Sequence, residues 1–178
     1  GDAEMSSPQA IYTADQIRAR VAAIADRIAA DYGDQELVLV GILKGAAFLL
    51  ADLARLIPKP VDFEFVDVTT SPGERGELVS LTYATHIDVR DRHVLILKDV
   101  LHSGVTENYL LTHLSQQRPA SMEVCALVDK PQLRSVNLTA RYAVFTDAPD
   151  GYLVGYGLGL ARGEYTNRPD LCIVEEPS

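Results

Sequence analysis

His93-Val94-Leu95-Ile96-Leu97-Lys98-Asp99-Val100-Leu101-His102-Ser103-Gly104-Val105-Thr106-Glu107-Asn108-Tyr109-Leu110 is the stretch on which the reading of the fold turns. Four consecutive aliphatics, Val94 to Leu97, are too few for a buried helix and read as a central strand covered on both faces. A loop follows, and Ser103-Gly104-Val105-Thr106 opens a helix whose Leu110, Leu111 and Leu114 recur at helical spacing. Such a junction turns free backbone N–H groups and the positive end of the helix dipole toward the loop, which is the geometry that holds a phosphate. Taken alone, the stretch also reads as an ordinary strand-to-helix link with Ser103 as the N-cap.

On the N-terminal side, Thr13-Ala14-Asp15-Gln16 has the capping-box pattern, and Ile17, Val21, Ile24 and Ile28 share one helical face that ends near Gly33. Leu37 to Ile42 is an unbroken apolar run and therefore a buried, parallel-type strand. Leu43-Lys44-Gly45 leads from it into a helix from Ala46 to about Leu56, which Pro58 and Pro60 stop. Val61 to Val68 reads as a strand, Thr69 to Glu77 as a mobile loop by its turn chemistry, and Leu78 to Tyr83 as a strand. On the C-terminal side, Val124 to Val128 is a strand leading into Asp129-Lys130-Pro131, with further strands at Tyr142 to Phe145 and Tyr152 to Val154. The alternation predicts an α/β fold with a mostly parallel central sheet flanked by helices. In such sheets ligands lie beyond the carboxyl ends of the strands, where Lys44-Gly45, Asp99 to Thr106 and Lys130 all fall.

With 178 residues, the chain reads as one domain over 8–178, preceded by a disordered segment over Gly1 to Ser7, and its first twelve residues lack the apolar core of a signal peptide. The start at Gly1 in place of Met reads as processing. A formal charge of −9 argues against nonspecific binding to nucleic acid or anionic membrane, and an apolar run as short as Leu37 to Leu43 cannot span a bilayer. A soluble protein without nucleic-acid or membrane partners is expected. Cys125 and Cys172 fit buried thiols of a reducing cytoplasm better than a disulfide framework. His86, His93, His102 and His113 show no metal-ligand spacing with them, which argues against a structural zinc site.

The motifs together resemble the hypoxanthine-guanine phosphoribosyltransferase family, of type I phosphoribosyltransferases, from about Tyr12 to Val174. Val40-Gly41-Ile42-Leu43-Lys44-Gly45 is similar to the family's pyrophosphate loop, and Leu95 to Thr106 to its phosphoribosyl-diphosphate signature. Leu127-Val128-Asp129-Lys130-Pro131 is similar to its base-recognition segment, and Val154-Gly155-Tyr156-Gly157-Leu158 to the stretch after its base-stacking aromatic. The resemblance implies a small hood, or base-recognition region, beside the sheet. It also implies purine base or purine nucleotide and phosphoribosyl diphosphate as ligands, magnesium as cofactor, and a homodimer or homotetramer.

Carried over position by position, the resemblance assigns Ser103, Gly104, Val105 and Thr106 to the 5′-phosphate and Lys44 with Gly45 to pyrophosphate. Lys130 would donate to the exocyclic oxygen of a 6-oxopurine, Tyr152 would stack on its ring, and Leu153 would read it through the backbone. Read without the family, Lys130 is an exposed lysine before a proline turn and Tyr152 a strand aromatic packing on Val144 or Phe145. The family's acidic pair for the ribose hydroxyls is here Lys98-Asp99, and its catalytic aspartate near the purine N7 is His102, which can still exchange a proton near neutral pH. Lys98 either takes the place of a metal's charge toward the ligand or simply turns to solvent or pairs with Asp99. Gly159 stands where the family has a magnesium-positioning aspartate, so no metal ligand is assigned. Thr166 stands near the position of the pyrophosphate-clamping arginine, with Arg162 and Arg168 close by, and Thr70-Ser71 replaces the Ser-Tyr pair of the closing loop.

Two function classes follow. One is a purine salvage transferase acting on hypoxanthine or guanine with weak activity; the other is a catalytically silent homologue that binds a nucleotide or the diphosphate donor as a sensor or partner subunit.

Overall fold

A computed structural model of the chain describes residues 7–73, 76–83 and 87–175. In chain order the elements are β1 (Gln9–Tyr12), α1 (Ala14–Tyr32), β2 (Leu37–Leu43), α2 (Ala47–Leu56), β3 (Asp62–Gly73), β4 (Gly76–Tyr83) and β5 (His93–Leu101). They continue with α3 (Val105–Ser115), β6 (Ser121–Asp129), a 3-10 turn (Pro131–Leu133), β7 (Tyr142–Phe145), β8 (Tyr152–Val154) and β9 (Leu171–Val174). Six strands form one sheet in the order β4-β3-β2-β5-β6-β7, all parallel neighbours except the antiparallel β3–β4 pair at the edge.

The aliphatic runs become central strands because both of their faces are covered. Along β5, Leu95 and Leu97 enter the core under α1 and α2, while Val94 and Ile96 enter the core that contains Leu110 and Leu114 of α3. The same alternation divides Leu37 and Leu39 from Val38 and Val40 on β2. Each such fully buried side chain contributes about 1.5–3 kcal/mol of transfer free energy. Helix α1 starts as the sequence predicts: Gln16 N–H donates to Thr13 Oγ1 at 3.2 Å, and Thr13 N–H donates to Gln16 Oε1 at 2.8 Å. It buries Ile17, Val21, Ile24 and Ile28 and ends at Gly33.

Two expectations are corrected. Helix α3 begins at Val105 with Gly104, not Ser103, as its N-cap, because Gly104 takes the left-handed conformation (φ 81°) that a residue with a Cβ enters only with strain. The loop expected over Thr69 to Glu77 is instead mostly hairpin: β3 runs on to Gly73 and pairs with β4 from Gly73↔Gly76 through Thr69↔Ser80. There the backbone ladder outweighs the local turn chemistry, and Glu74, Arg75 and His86 lie outside the described residues. The expected hood is present as a three-stranded antiparallel sheet in the order β1-β9-β8, whose strands β1 and β9 the periodicity does not announce. Of the segment expected to be disordered, only the exposed Ser7 is described. No helix among the described residues is long and apolar enough to cross a membrane.

Candidate active site

The carboxyl ends of β2, β5 and β6 and the start of the hood surround a cavity of about 380 Å³. Its lining includes Lys44, Gly45, Lys98, Asp99, His102, Lys130, Tyr152 and Leu153, eight of the twelve positions the sequence singles out. The other four, Ser103, Gly104, Val105 and Thr106, do not line it; they continue from its wall at His102 into the first turn of α3. A second cavity, of about 450 Å³, lies between α1, α2 and the 156–169 segment. Its one carboxylate among the described residues, Asp52, is already bonded by Tyr156 Oη at 2.5 Å and Arg55 at 2.7 Å.

Strand parity explains where the two charged residues of β5 point. Lys98 shares its face with Val94 and Ile96, toward α3, and Asp99 shares its face with Leu95 and Leu97, toward α2. On the α2 side a Cβ added at Gly45 would stand 2.0 Å from Asp99 Oδ2, so only glycine lets the Lys44-Gly45 loop approach that carboxylate. The Leu43–Lys44 peptide is cis. Asp99 Oδ1 accepts from the Val100 N–H at 2.7 Å and lies 3.3 Å from Lys98 Nζ.

On the α3 side, Lys98 Nζ also lies 3.7 Å from Oε1 of Glu107, a carboxylate that is only 3% exposed and accepts from Thr106 Oγ1 at 3.1 Å. Lys98 thus pairs with Asp99, and Glu107 is a site residue that sequence reasoning missed. Its signal was present: Glu107 falls on the same helical stripe as Leu110 and Leu114, where a carboxylate needs a buried counter-charge.

Lys130 is 5% exposed, with its ammonium 3.5 Å from the Pro149 carbonyl and facing the cavity, so it is not the exposed lysine of a proline turn. Tyr152 is 37% exposed at the cavity wall, and the aromatic expected to hold it, Phe145, stacks on Tyr12 at 3.7 Å. Partial burial lowers the His102 pKa, and the Lys130 and Lys98 ammonium groups lower it further against the opposite pull of Asp99 and Glu107. His102 is therefore neutral at pH 7.

A second missed residue is Arg134. Its guanidinium pairs with the buried Asp129 at 2.5 Å and donates to the carbonyls of His102 at 2.8 Å and Leu138 at 2.9 Å, tying the 3-10 turn to the loop ahead of α3. At the far wall, a Cβ on Gly159 would stand 2.8 Å from the Glu164 carbonyl oxygen and 2.4 Å from Thr166 Cγ2. Thr166 lines the cavity, while Arg168 is engaged by Asp170 at 2.9 and 3.0 Å and Arg162 is exposed. Neither arginine lines the cavity.

Residues 8–159 match the family described as the phosphoribosyl transferase domain. A hypoxanthine-guanine phosphoribosyltransferase of Mycobacterium avium is 39% identical over 156 residues, covering 83% of this chain and 76% of the relative. A hypoxanthine phosphoribosyltransferase of Haemophilus influenzae is 34% identical over 153 residues, covering 82% of this chain and 84% of the relative. A crystal structure of a hypoxanthine-guanine phosphoribosyltransferase from Bacillus anthracis superposes with a TM-score of 0.85 at 31% identity, over 93% of this chain and 97% of that one.

Proposed function

The chain belongs to the hypoxanthine-guanine phosphoribosyltransferase family, and from that membership we propose that it is a purine salvage enzyme with weak activity. It would transfer the phosphoribosyl group of phosphoribosyl diphosphate to hypoxanthine or guanine. The observation that carries this reading is the pairing of a buried lysine, Lys130, with the half-exposed Tyr152 ring on one cavity, a donor and a stacking surface suited to a 6-oxopurine.

In this reading the backbone of Leu153 completes the contact to the base. Ser103 to Thr106 hold the 5′-phosphate at the start of α3, Asp99 and Lys98 face the ribose, and Lys44 with Gly45 approach the pyrophosphate. A ring nitrogen of the base bonds to the anomeric carbon as the bond from that carbon to the pyrophosphate oxygen breaks. Pyrophosphate leaves with the electron pair, and positive charge develops on the sugar. The proton released by the base passes to His102, which is neutral at pH 7 and so able to accept it. The chain's contribution is position and charge, the ammonium groups of Lys44 and Lys98 standing where negative charge collects.

Enzymes of this family generally use magnesium. The residues here do not fit a magnesium ion held by the protein. Among the described residues no group of three His, Cys, Asp or Glu side chains could hold a metal, Lys98 stands beside both Asp99 and Glu107, and Gly159 has no side-chain oxygen. The same tethering of Lys98, with no arginine on the cavity wall, favours as a second reading a silent homologue that binds nucleotide as a sensor or partner subunit.

Residues 8–178 act as one domain in this proposal, as a homodimer or homotetramer in the cytoplasm. The two free, buried cysteines, Cys125 and Cys172, support a reducing setting. Pyrophosphate release with hypoxanthine, guanine and xanthine tests the reading, and turnover below about 1 per second with the first two is expected. Calorimetric binding of inosine monophosphate without turnover would establish the silent homologue, and no binding would remove both.

A further inference from the structure

We propose that Lys98, fixed by the buried Glu107, is a built-in cation that lets this site bind phosphoribosyl ligands without a divalent metal ion. The proposal rests on the nucleotide-binding reading above.

The cavity is the place where an acidic chain, of net charge −9, gathers positive charge: Lys44, Lys98 and Lys130 line it against the single carboxylate of Asp99. Of these lysines, Lys98 alone is anchored by ion pairs among the described residues. Its ammonium lies 3.3 Å from Asp99 Oδ1 and 3.7 Å from Glu107 Oε1. At 3.7 Å the Glu107 contact is an ion pair and not a hydrogen bond, so the three-donor ammonium keeps donors for a ligand in the cavity that Lys98 lines.

Glu107 is what makes the arrangement a fixed one. Its side chain is 4% exposed, beside the dipole end of its own helix and held by Thr106 Oγ1 at 3.1 Å, so it cannot follow Lys98 into solvent. A carboxylate so buried requires a counter-charge, and Lys98 is the only one its contacts supply among the described residues. The lysine is thereby held at the junction of β5 and α3, between the ribose-facing Asp99 and the start of the phosphate-facing turn. A compact ammonium there places a permanent positive charge beside the ligand oxygens, the charge that a divalent cation would supply. The opposite wall adds no competing ligand for such a cation, because a side chain at Gly159 would collide with the Glu164 carbonyl.

Calorimetric titration of the full chain with inosine monophosphate, in millimolar magnesium and in excess chelator, tests this. Wild-type Kd values within about threefold of each other are expected in the two conditions. A hydrogen bond between charged groups supports roughly tenfold or more in affinity, so Lys98→Met should weaken binding by at least that factor in chelator. Glu107→Gln, which keeps the lysine but loosens it, should lose several-fold and respond equally in both conditions. Because Lys98→Met strands the buried carboxylate, the double variant Lys98→Met/Glu107→Leu serves as the folded control. Its circular-dichroism melt should match wild type while its metal-free affinity stays low. Wild-type affinity falling tenfold or more in chelator, with the Lys98 variants unchanged, would overturn the assignment while leaving the nucleotide site standing. No binding in either condition would instead remove the nucleotide reading, and this inference with it.

Discussion

Reversing the charge at position 98 probes the electrostatics of the site through stability alone. Lys98 Nζ lies 3.3 Å from Asp99 and 3.7 Å from Glu107, and at an effective dielectric constant of about 20 each attraction is about 4–5 kcal/mol before desolvation is counted. In Lys98→Glu both become repulsions. The new carboxylate can swing outward, since the side chain at 98 is 24% exposed, but Glu107 at 4% exposed cannot. Removing one partner of a buried ion pair leaves the other charge uncompensated, so we expect Lys98→Glu to lose about 3–5 kcal/mol at pH 7, measured by urea unfolding followed by circular dichroism. Adding Glu107→Gln should return at least half of the loss at pH 7. A loss under about 0.5 kcal/mol at pH 7 would refute the buried ion pair.

Three further outcomes follow from other parts of the site. In an NMR titration, assigned through His102→Gln, the His102 midpoint should fall below 6.5 and rise part of the way back in Lys130→Met, burial being the larger cause. Because the folded pKa is the lower one, the associated stability is present above pH 6.5 and lost as pH falls through the folded value; a midpoint above 6.5 would contradict this. Arg134→Met should lose about 3–5 kcal/mol in chemical denaturation, since it leaves Asp129, whose side chain is 11% exposed, without its partner. A near-neutral effect would mean that the clamp on the loop before α3 is not formed in solution. Gly159→Asp should destabilise by about 1–3 kcal/mol and give no magnesium-binding heat in calorimetry, because its Cβ has no room beside Glu164 and Thr166.

The parts of the fold legible in the sequence are those with strong local signals. The aliphatic runs at Leu37, Val94 and Val124 announce buried strands because both faces are covered, and Thr13 with Gln16 announces the first helix because its cap is made within four residues. Strands β1 and β9 are short, and what makes them strands is each other, across the length of the chain. The gathering of Lys44, Asp99, His102 and Lys130 followed from the rule that loops at the carboxyl ends of parallel strands converge, while Tyr152 came only from the family resemblance. What that rule could not give was the meaning of Lys98, since a lysine beside an aspartate usually does no more than solvate. Only the tertiary placement of α3 brings Glu107 behind it. Arg134 was hidden for a similar reason: besides Asp129, its partners are the carbonyls of His102 and Leu138, which no reading by residue type reveals.

The strand that carries Tyr152 and Leu153 is completed by β9, and β9 is in turn zipped to β1, with Gln9 opposite Ile173. The wall proposed to recognise the base is therefore assembled from segments at opposite ends of the sequence, and closing so long a loop comes late in folding. On the ribosome, β5, β6 and the loop before α3 can form while this wall still lacks its middle strand. Not until residue 174 has emerged does a partner for β8 exist. Pulsed hydrogen exchange during refolding should show Val94 to Leu97 protected before Tyr152 to Val154, and simultaneous protection would mean that the hood folds with the sheet. The order has a practical consequence for the nascent chain: it is committed to its fold before it is able to choose a base.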